Sequence, residues 1–192
     1  MSDSAIWTRN GITDTRLVRS FAYVGGKWVG GDDTATFAVT NPADGSTLGA
    51  VASLSADQAR AAVDAAQGAF GGWAMTLPQD RAALLRRWFD LILAHREDLA
   101  RIMVLEQGKP LSEARGEIDY AASFVEYYAE EAKRPNIEGV TSHLPDAEVE
   151  LWLEPVGVAA LITPWNFPGR LHCSGTPICR NAVFRAGPSR IG

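Results

Sequence analysis

The 192 residues are 46% apolar and 21% charged, enough for one globular domain or a large domain with part of another. A formal net charge of −5 argues against a general nucleic-acid binder or a protein of anionic membrane surfaces. The longest apolar run, Val156 to Ile162, is too short to span a membrane, and two cysteines make no disulfide framework, so a soluble cytoplasmic protein is expected.

Residues 1–19 are polar, lack the apolar core of an export signal, and read as a flexible leader. In "FAYVGGKWVGG" two short apolar runs flank Gly25-Gly26, which is a hairpin signal; no helix follows, so the turn reading is favoured over a phosphate loop. Two further strands flank "NPADG", whose Asn-Pro and Asp-Gly pairs are turn chemistry. Ser55 with Gln58 forms a capping box and starts a helix near Ala56. Ala59, Val63, Ala66 and Phe70 give that helix an apolar face, and Gly71-Gly72 is expected to stop it. A second helix is expected over 79–94 with Leu84, Trp88 and Leu91 inward, and a third over 97–106, ended by Gly108 and Pro110. The fourth and longest, 111–134, turns Ile118, Ala122, Val125 and Ala129 inward and leaves Glu126, Glu130 and Glu131 on a solvated face.

Two strands of different character follow. Val149, Leu151 and Leu153 alternate with Glu148, Glu150 and Glu154, the pattern of an antiparallel or edge strand with one wet face. Val156 to Ile162 is apolar apart from Gly157, the pattern of a parallel strand covered on both faces. Hairpins, then helices, then a first parallel strand is how an α/β nucleotide-binding domain begins. Ligands of such sheets bind beyond the carboxyl ends of the strands, where Thr163-Pro164-Trp165-Asn166-Phe167-Pro168 stands. Its two prolines stiffen the backbone around Asn166. A neutral amide on a stiff loop can stabilise an oxyanion, or it can simply bond the turn's own backbone.

"EPVGVAALITPWNFP" closely resembles the first nucleotide-binding strand and loop of the aldehyde dehydrogenase superfamily. "LEQGKPLSEARGEIDYAASFVEYYAEEAKR" resembles the helical stretch upstream of it, in a form most similar to the succinate-semialdehyde dehydrogenase branch. "KWVGG", "FAVTNPADGSTLGAVASLS" and "AAQGAFGGWAMTLPQDRAALLRRW" resemble the N-terminal hairpins and first helices, in the right order. The resemblance covers residues 20–168 and implies the N-terminal part of an NAD(P)-binding domain, α/β and incomplete. It also implies oxidation of an aldehyde, such as succinic semialdehyde, to the acid with NAD or NADP. In that chemistry a cysteine thiolate attacks the carbonyl, hydride passes to the nicotinamide, and a glutamate activates water. By match to the motif, Asn166 is the oxyanion donor, and Ile162, Thr163, Pro164, Trp165 and Asn166 form the cofactor side of the loop. The strand near 148–154 resembles part of an oligomerisation arm, which implies a homo-oligomer or docking on full-length subunits.

After Pro168 the resemblance ends. A helix and a strand with a lysine-containing "KP" loop are expected, but residues 169–192 hold helix-breaking Gly175-Thr176-Pro177 and Gly187-Pro188, no lysine, no acid and four arginines. Neither Cys173 nor Cys179 has the setting of a family nucleophile, and His172 with these cysteines lacks metal-ligand spacing, so no metal site is expected. His95 and His143 are read as packing or surface residues. The abrupt switch suggests a frame change or rearrangement after Pro168 and a marginal, association-prone fragment without turnover or strong cofactor binding of its own. The alternatives are a non-catalytic fragment that associates with full-length dehydrogenase subunits, or a pseudogene product.

Overall fold

The computed structural model describes residues 3–134, 137–152 and 154–169, together with the backbone of 183–185. The chain opens with helix α1 (Asp3–Arg9) and a single 3-10 turn at Thr15–Leu17. Here it departs from the flexible leader expected of residues 1–19. Trp7 and Ile12 are buried with Leu48 and Leu105, so two apolar side chains in a polar stretch fasten the segment down. Asp98, itself buried, completes the anchor. Its carboxylate accepts from the Thr13 N–H at 2.9 Å, the Thr13 hydroxyl at 2.8 Å and the Asp14 N–H at 2.8 Å.

Strands β1 (Ala22–Val24) and β2 (Lys27–Val29) form the expected hairpin. Gly25 and Gly26 both have positive φ, at 55° and 82°, as a tight turn matching the strand twist requires. Strands β3 (Thr36–Thr40) and β4 (Thr47–Ala52) pair antiparallel across "NPADG". The Asn41 side chain accepts from the Ala43 N–H at 3.0 Å, and Asp44 accepts from the Ser46 N–H at 2.9 Å, which fixes that loop.

Helix α2 (Ala56–Ala74) begins at the complete capping box of Ser55 and Gln58. It does not stop at Gly71-Gly72: the Met75 N–H still donates to the Gly71 carbonyl at 3.3 Å, because glycine weakens a helix without breaking its hydrogen bonds. Helices α3 (Pro78–Ala94), α4 (Arg96–Gln107) and α5 (Leu111–Glu131) form the main core. Ile92, Ala100, Met103, Ala114, Ile118 and Val125 are buried together, and Leu85, Trp88 and Phe89 pack against them. The inward stripe expected on α5 is the one observed, whereas that of α3 is rotated. Leu84 and Leu91 are 53% and 49% exposed, and the neighbouring Leu85, Phe89 and Ile92 face the core with Trp88. Glu126 and Glu130 do not simply face solvent: both accept from Arg86, at 2.8 and 2.9 Å, joining α5 to α3.

Strands β5 (Ile137–Val140) and β6 (Val149–Trp152) form an antiparallel pair, as the alternation near 148–154 predicts; Leu153 lies outside the described residues. Every residue of the pair is exposed, so its apolar side chains are uncovered among the described residues. Strand β7 is shorter than the apolar run that encodes it, Ala159–Leu161 in place of Val156–Ile162. Val156 is fully exposed and Gly157 has φ 121°, so the run enters the strand through an irregular bend. β7 pairs in parallel with β8 (Val183–Arg185), Ala160 opposite Phe184. The segment after Pro168, where the resemblance ends, thus contributes a parallel neighbour.

Asp98 gives the N-terminal anchor a pH dependence. Burial pushes its carboxyl up, but the hydrogen bonds from Thr13 and Asp14 outweigh burial and hold it below the usual carboxylate range. Its stabilising contribution is complete above the unfolded value of about 3.9 and is lost as pH falls through the lower folded value. Asp98→Ala is expected to reduce unfolding free energy at neutral pH by about 1–3 kcal/mol in urea titrations. Hydrogen exchange should then accelerate over residues 5–18, and the variant should lose the part of the acid dependence that Asp98 contributes.

Candidate active site

Three residues, Gly108, Lys109 and Pro110, turn the chain from α4 into α5. Gly108 closes α4 in the left-handed region at φ 73°, where its N–H donates to the Val104 carbonyl. That corner aims Lys109 at the loop that follows β7. The Thr163–Pro168 loop is a turn closed by the Phe167 N–H donating to the Pro164 carbonyl at 3.4 Å, with Trp165 and Asn166 at its centre. The Lys109 ammonium donates to the Asn166 carbonyl at 2.9 Å and sits 4.6 Å from the centre of the Phe167 ring. Gln107 donates its amide to the Trp165 carbonyl. Lys109 also pairs with Glu117, whose side chain is only 3% exposed, and the other Glu117 oxygen accepts from the Gly169 N–H at 3.0 Å. Three side chains of the helical layer therefore grip three main-chain groups of the turn.

The site residues expected from sequence lie at the carboxyl end of β7 and largely open to solvent. Ile162 is 80% and Trp165 63% exposed, Pro164 and Asn166 are exposed, and Thr163 is half-buried. The side-chain amide of Asn166 makes no hydrogen bond with any described residue; its backbone carbonyl alone is engaged. It does not bond the turn's own backbone. Exposed apolar faces on Ile162 and Trp165, beside an uncommitted amide donor, fit contact with a nicotinamide coenzyme. Cys173, Cys179 and His172 lie outside the described residues, among which no group of His, Cys, Asp and Glu converges as a metal site. No helix among the described residues is long and apolar enough to cross a membrane.

Gln107, Lys109 and Glu117 were not legible as site residues. One trace existed: Glu117 falls between Ala114 and Ala121 on the inward stripe of α5, where an acid is out of place unless paired. Among the described residues a cleft between Gly11, Thr13, His95, Glu97, Asp98 and Arg101 has its acids engaged. Asp98 holds the N-terminal segment, and Glu97 accepts a two-point contact from Arg115 at 2.8 Å.

A turn at the carboxyl end of a parallel strand, reached after a helical layer, is an α/β arrangement. Residues 28–179 match the aldehyde dehydrogenase family, and the chain belongs to that family. The match runs past Pro168, where the motifs end. The chain is 51% identical over 159 residues to the non-phosphorylating aspartate-semialdehyde dehydrogenase of Halomonas elongata, covering 83% of this chain and 32% of that one. It is 46% identical over 160 residues to succinate-semialdehyde dehydrogenase [NADP(+)] of Escherichia coli, covering 83% and 33%. The crystal structure of succinate-semialdehyde dehydrogenase from Burkholderia pseudomallei superposes with a TM-score of 0.85 at 44% identity, covering 90% of this chain and 36% of that one. The chain thus spans about a third of the length of the relatives it matches.

Removing one member of a buried ion pair leaves the other uncompensated. Glu117→Ala is therefore expected to lower unfolding free energy by about 3–5 kcal/mol in urea titrations. Glu126→Ala, which loosens a pair about half open to water, should cause a much smaller change.

Proposed function

We propose that this chain is the coenzyme-side portion of an NAD(P)-dependent dehydrogenase that oxidises a semialdehyde, succinic semialdehyde first among them, to the carboxylic acid. The uncommitted Asn166 amide on a turn gripped through its backbone carries this reading. As a thiolate adds to the aldehyde carbon, the carbonyl oxygen gains negative charge. An amide N–H already aimed at that oxygen stabilises it without reorganising as the charge grows. Ile162, Thr163, Pro164 and Trp165 form the coenzyme face of the same loop and orient the nicotinamide toward the reacting carbon. When bound, the coenzyme accepts the hydride. Names of relatives that act on aspartate, succinate and glutarate semialdehydes support the substrate class, and that of the Escherichia coli relative supports NADP as well as NAD. In this reading the chain, which matches about a third of the length of its relatives, has no turnover alone.

A test is to graft residues 20–168 in place of the matching stretch of the Escherichia coli relative and measure NADPH formation from succinic semialdehyde. The chimera is expected to turn over, and Asn166→Ala within it to lower kcat about 10²–10³-fold with little change in KM. An unchanged kcat would remove Asn166 from the reaction.

A second reading concerns assembly, and the fully exposed β5–β6 pair favours it. Leu151 and Trp152 are 53% and 59% exposed on a strand whose outer edge is unpaired among the described residues. Such an edge invites a further strand, from a second copy or from a longer dehydrogenase subunit. Sedimentation of the purified chain should show association that Leu151→Lys reduces; identical distributions for the two would dismiss the edge as an interface.

A further inference from the structure

Three hydrogen bonds from side chains of the helical layer hold the Asn166 turn, and each reaches a main-chain atom. Gln107 and Lys109 take the carbonyls of Trp165 and Asn166, and Glu117 takes the N–H of Gly169. Contacts of this kind fix where the peptide planes lie and leave side chains uncommitted. The pair behind them is almost wholly enclosed, with side-chain exposures of 14% for Lys109 and 3% for Glu117. Enclosing two charges costs more in lost hydration than the pair usually returns, so stability alone is a poor reason for its presence. Its placement supplies a better one, because it lies where the inward stripe of α5 meets the turn. The charge reaches Asn166 on one side and Gly169 on the other, bracketing Phe167 and Pro168.

We propose that Lys109 and Glu117 are positioning residues that set the orientation of the Asn166 peptide, so that the amide donor stands ready before any ligand arrives. This rests on the oxyanion reading of Asn166. A donor that must first be ordered contributes less than one already in place, and small displacements of a reacting group are costly in rate. Lys109 also lies over the Phe167 ring, which gives the ammonium a second hold on the same turn. Gly169 takes part through its N–H alone. A Cβ there would sit 3.4 Å from Met103 Cε and 3.5 Å from Glu117 Oε1, ordinary contact distances, so Ala is tolerated and the grip does not depend on glycine.

The Asn-Phe dipeptide occurs once in the chain. Labelling Asn with 13C at its carbonyl and Phe with 15N therefore yields a single NMR cross-peak, from Asn166–Phe167. Three variants of the full 192-residue chain are compared with wild type: Lys109→Met, Lys109→Met with Glu117→Leu, and Lys109→Arg. The double variant replaces the enclosed pair by apolar groups of similar volume, a change that buried ion pairs generally tolerate. In both Met-containing variants the Asn166 carbonyl carbon is expected to move upfield as it loses the ammonium. In the double variant exchange at the Gly169 amide should quicken on the order of tenfold or more, while α3 and α5 stay as protected as in wild type. Lys109→Arg, which keeps a cationic donor, should hold the carbonyl signal near its wild-type position. An unmoved signal in the double variant, even loss of protection across α3, α5 and the turn, or failure of arginine to hold the signal would each overturn the proposal. None of these readouts involves aldehyde or coenzyme. A chimera insensitive to Asn166→Ala would thus refute the oxyanion role and leave the grip intact, and a failed NMR test would do the reverse.

Discussion

An acid enclosed in a helical core has to be answered where it lies, and Glu117 is answered from two directions. Packing of α5 against α3 and α4 puts residue 117 on the covered side, between Ala114 and Ala121. With 3% of the side chain in contact with water, solvent cannot balance its charge. A cation must come from close by, and the short corner between α4 and α5 brings Lys109 to it. That corner is possible because Gly108 takes the left-handed conformation and ends α4 one residue earlier. A second donor is still needed for the other carboxylate oxygen, and the N–H of Gly169 provides it. The turn beyond β7 is thereby joined to the helical layer, and the place of Asn166 follows from the demands of a carboxylate 49 residues earlier in the chain.

Much of the framework was legible because its signals are local. The Ser55–Gln58 box, the paired glycines at 25 and 26, and Gly108 each act within four residues, and the elements begin or end where those residues say. Helix α3 shows the limit of periodicity. Its sequence carries two apolar stripes one residue apart, one through Leu84 and Leu91, the other through Leu85, Phe89 and Ile92, and only packing against α5 selects the second. The N-terminal segment escaped notice because two side chains and one distant carboxylate, 85 residues away, do the fastening in an otherwise polar stretch. β7 is shorter than its apolar run because hydrogen bonding to one neighbour covers three residues, and the flanks stand open among the described residues. The place of Asn166 in a turn beyond a strand was legible from the apolar run before it. Its supports were not, because contacts spanning some fifty residues show in spacing only as an acid, Glu117, on an inward stripe, with nothing to name its partners.

The charged contacts divide by environment. Arg86 with Glu126 and Glu130, and Arg96 with Asp119, bridge helices where water still reaches both partners, so they contribute register more than stability. Lys109 and Glu117 bridge where water does not reach. The first group can be traded among similar residues with little consequence. The second links core packing to the geometry of the turn, so a change in one is felt in the other.

The main core has a kinetic corollary. Ile92, Ala100, Met103, Ala114, Ile118 and Val125 all lie within a short span of chain, so the α3–α5 layer closes only small loops as it forms. β7 has to wait for β8, whose residues are made later and pair in parallel from a distance. During synthesis the helices can therefore consolidate, with Glu117 and Lys109 already joined, while the strand end is still unpaired. The turn would dock last, onto a surface whose charge is already in place to receive it, so the nascent chain is guided to its final arrangement from the helical side.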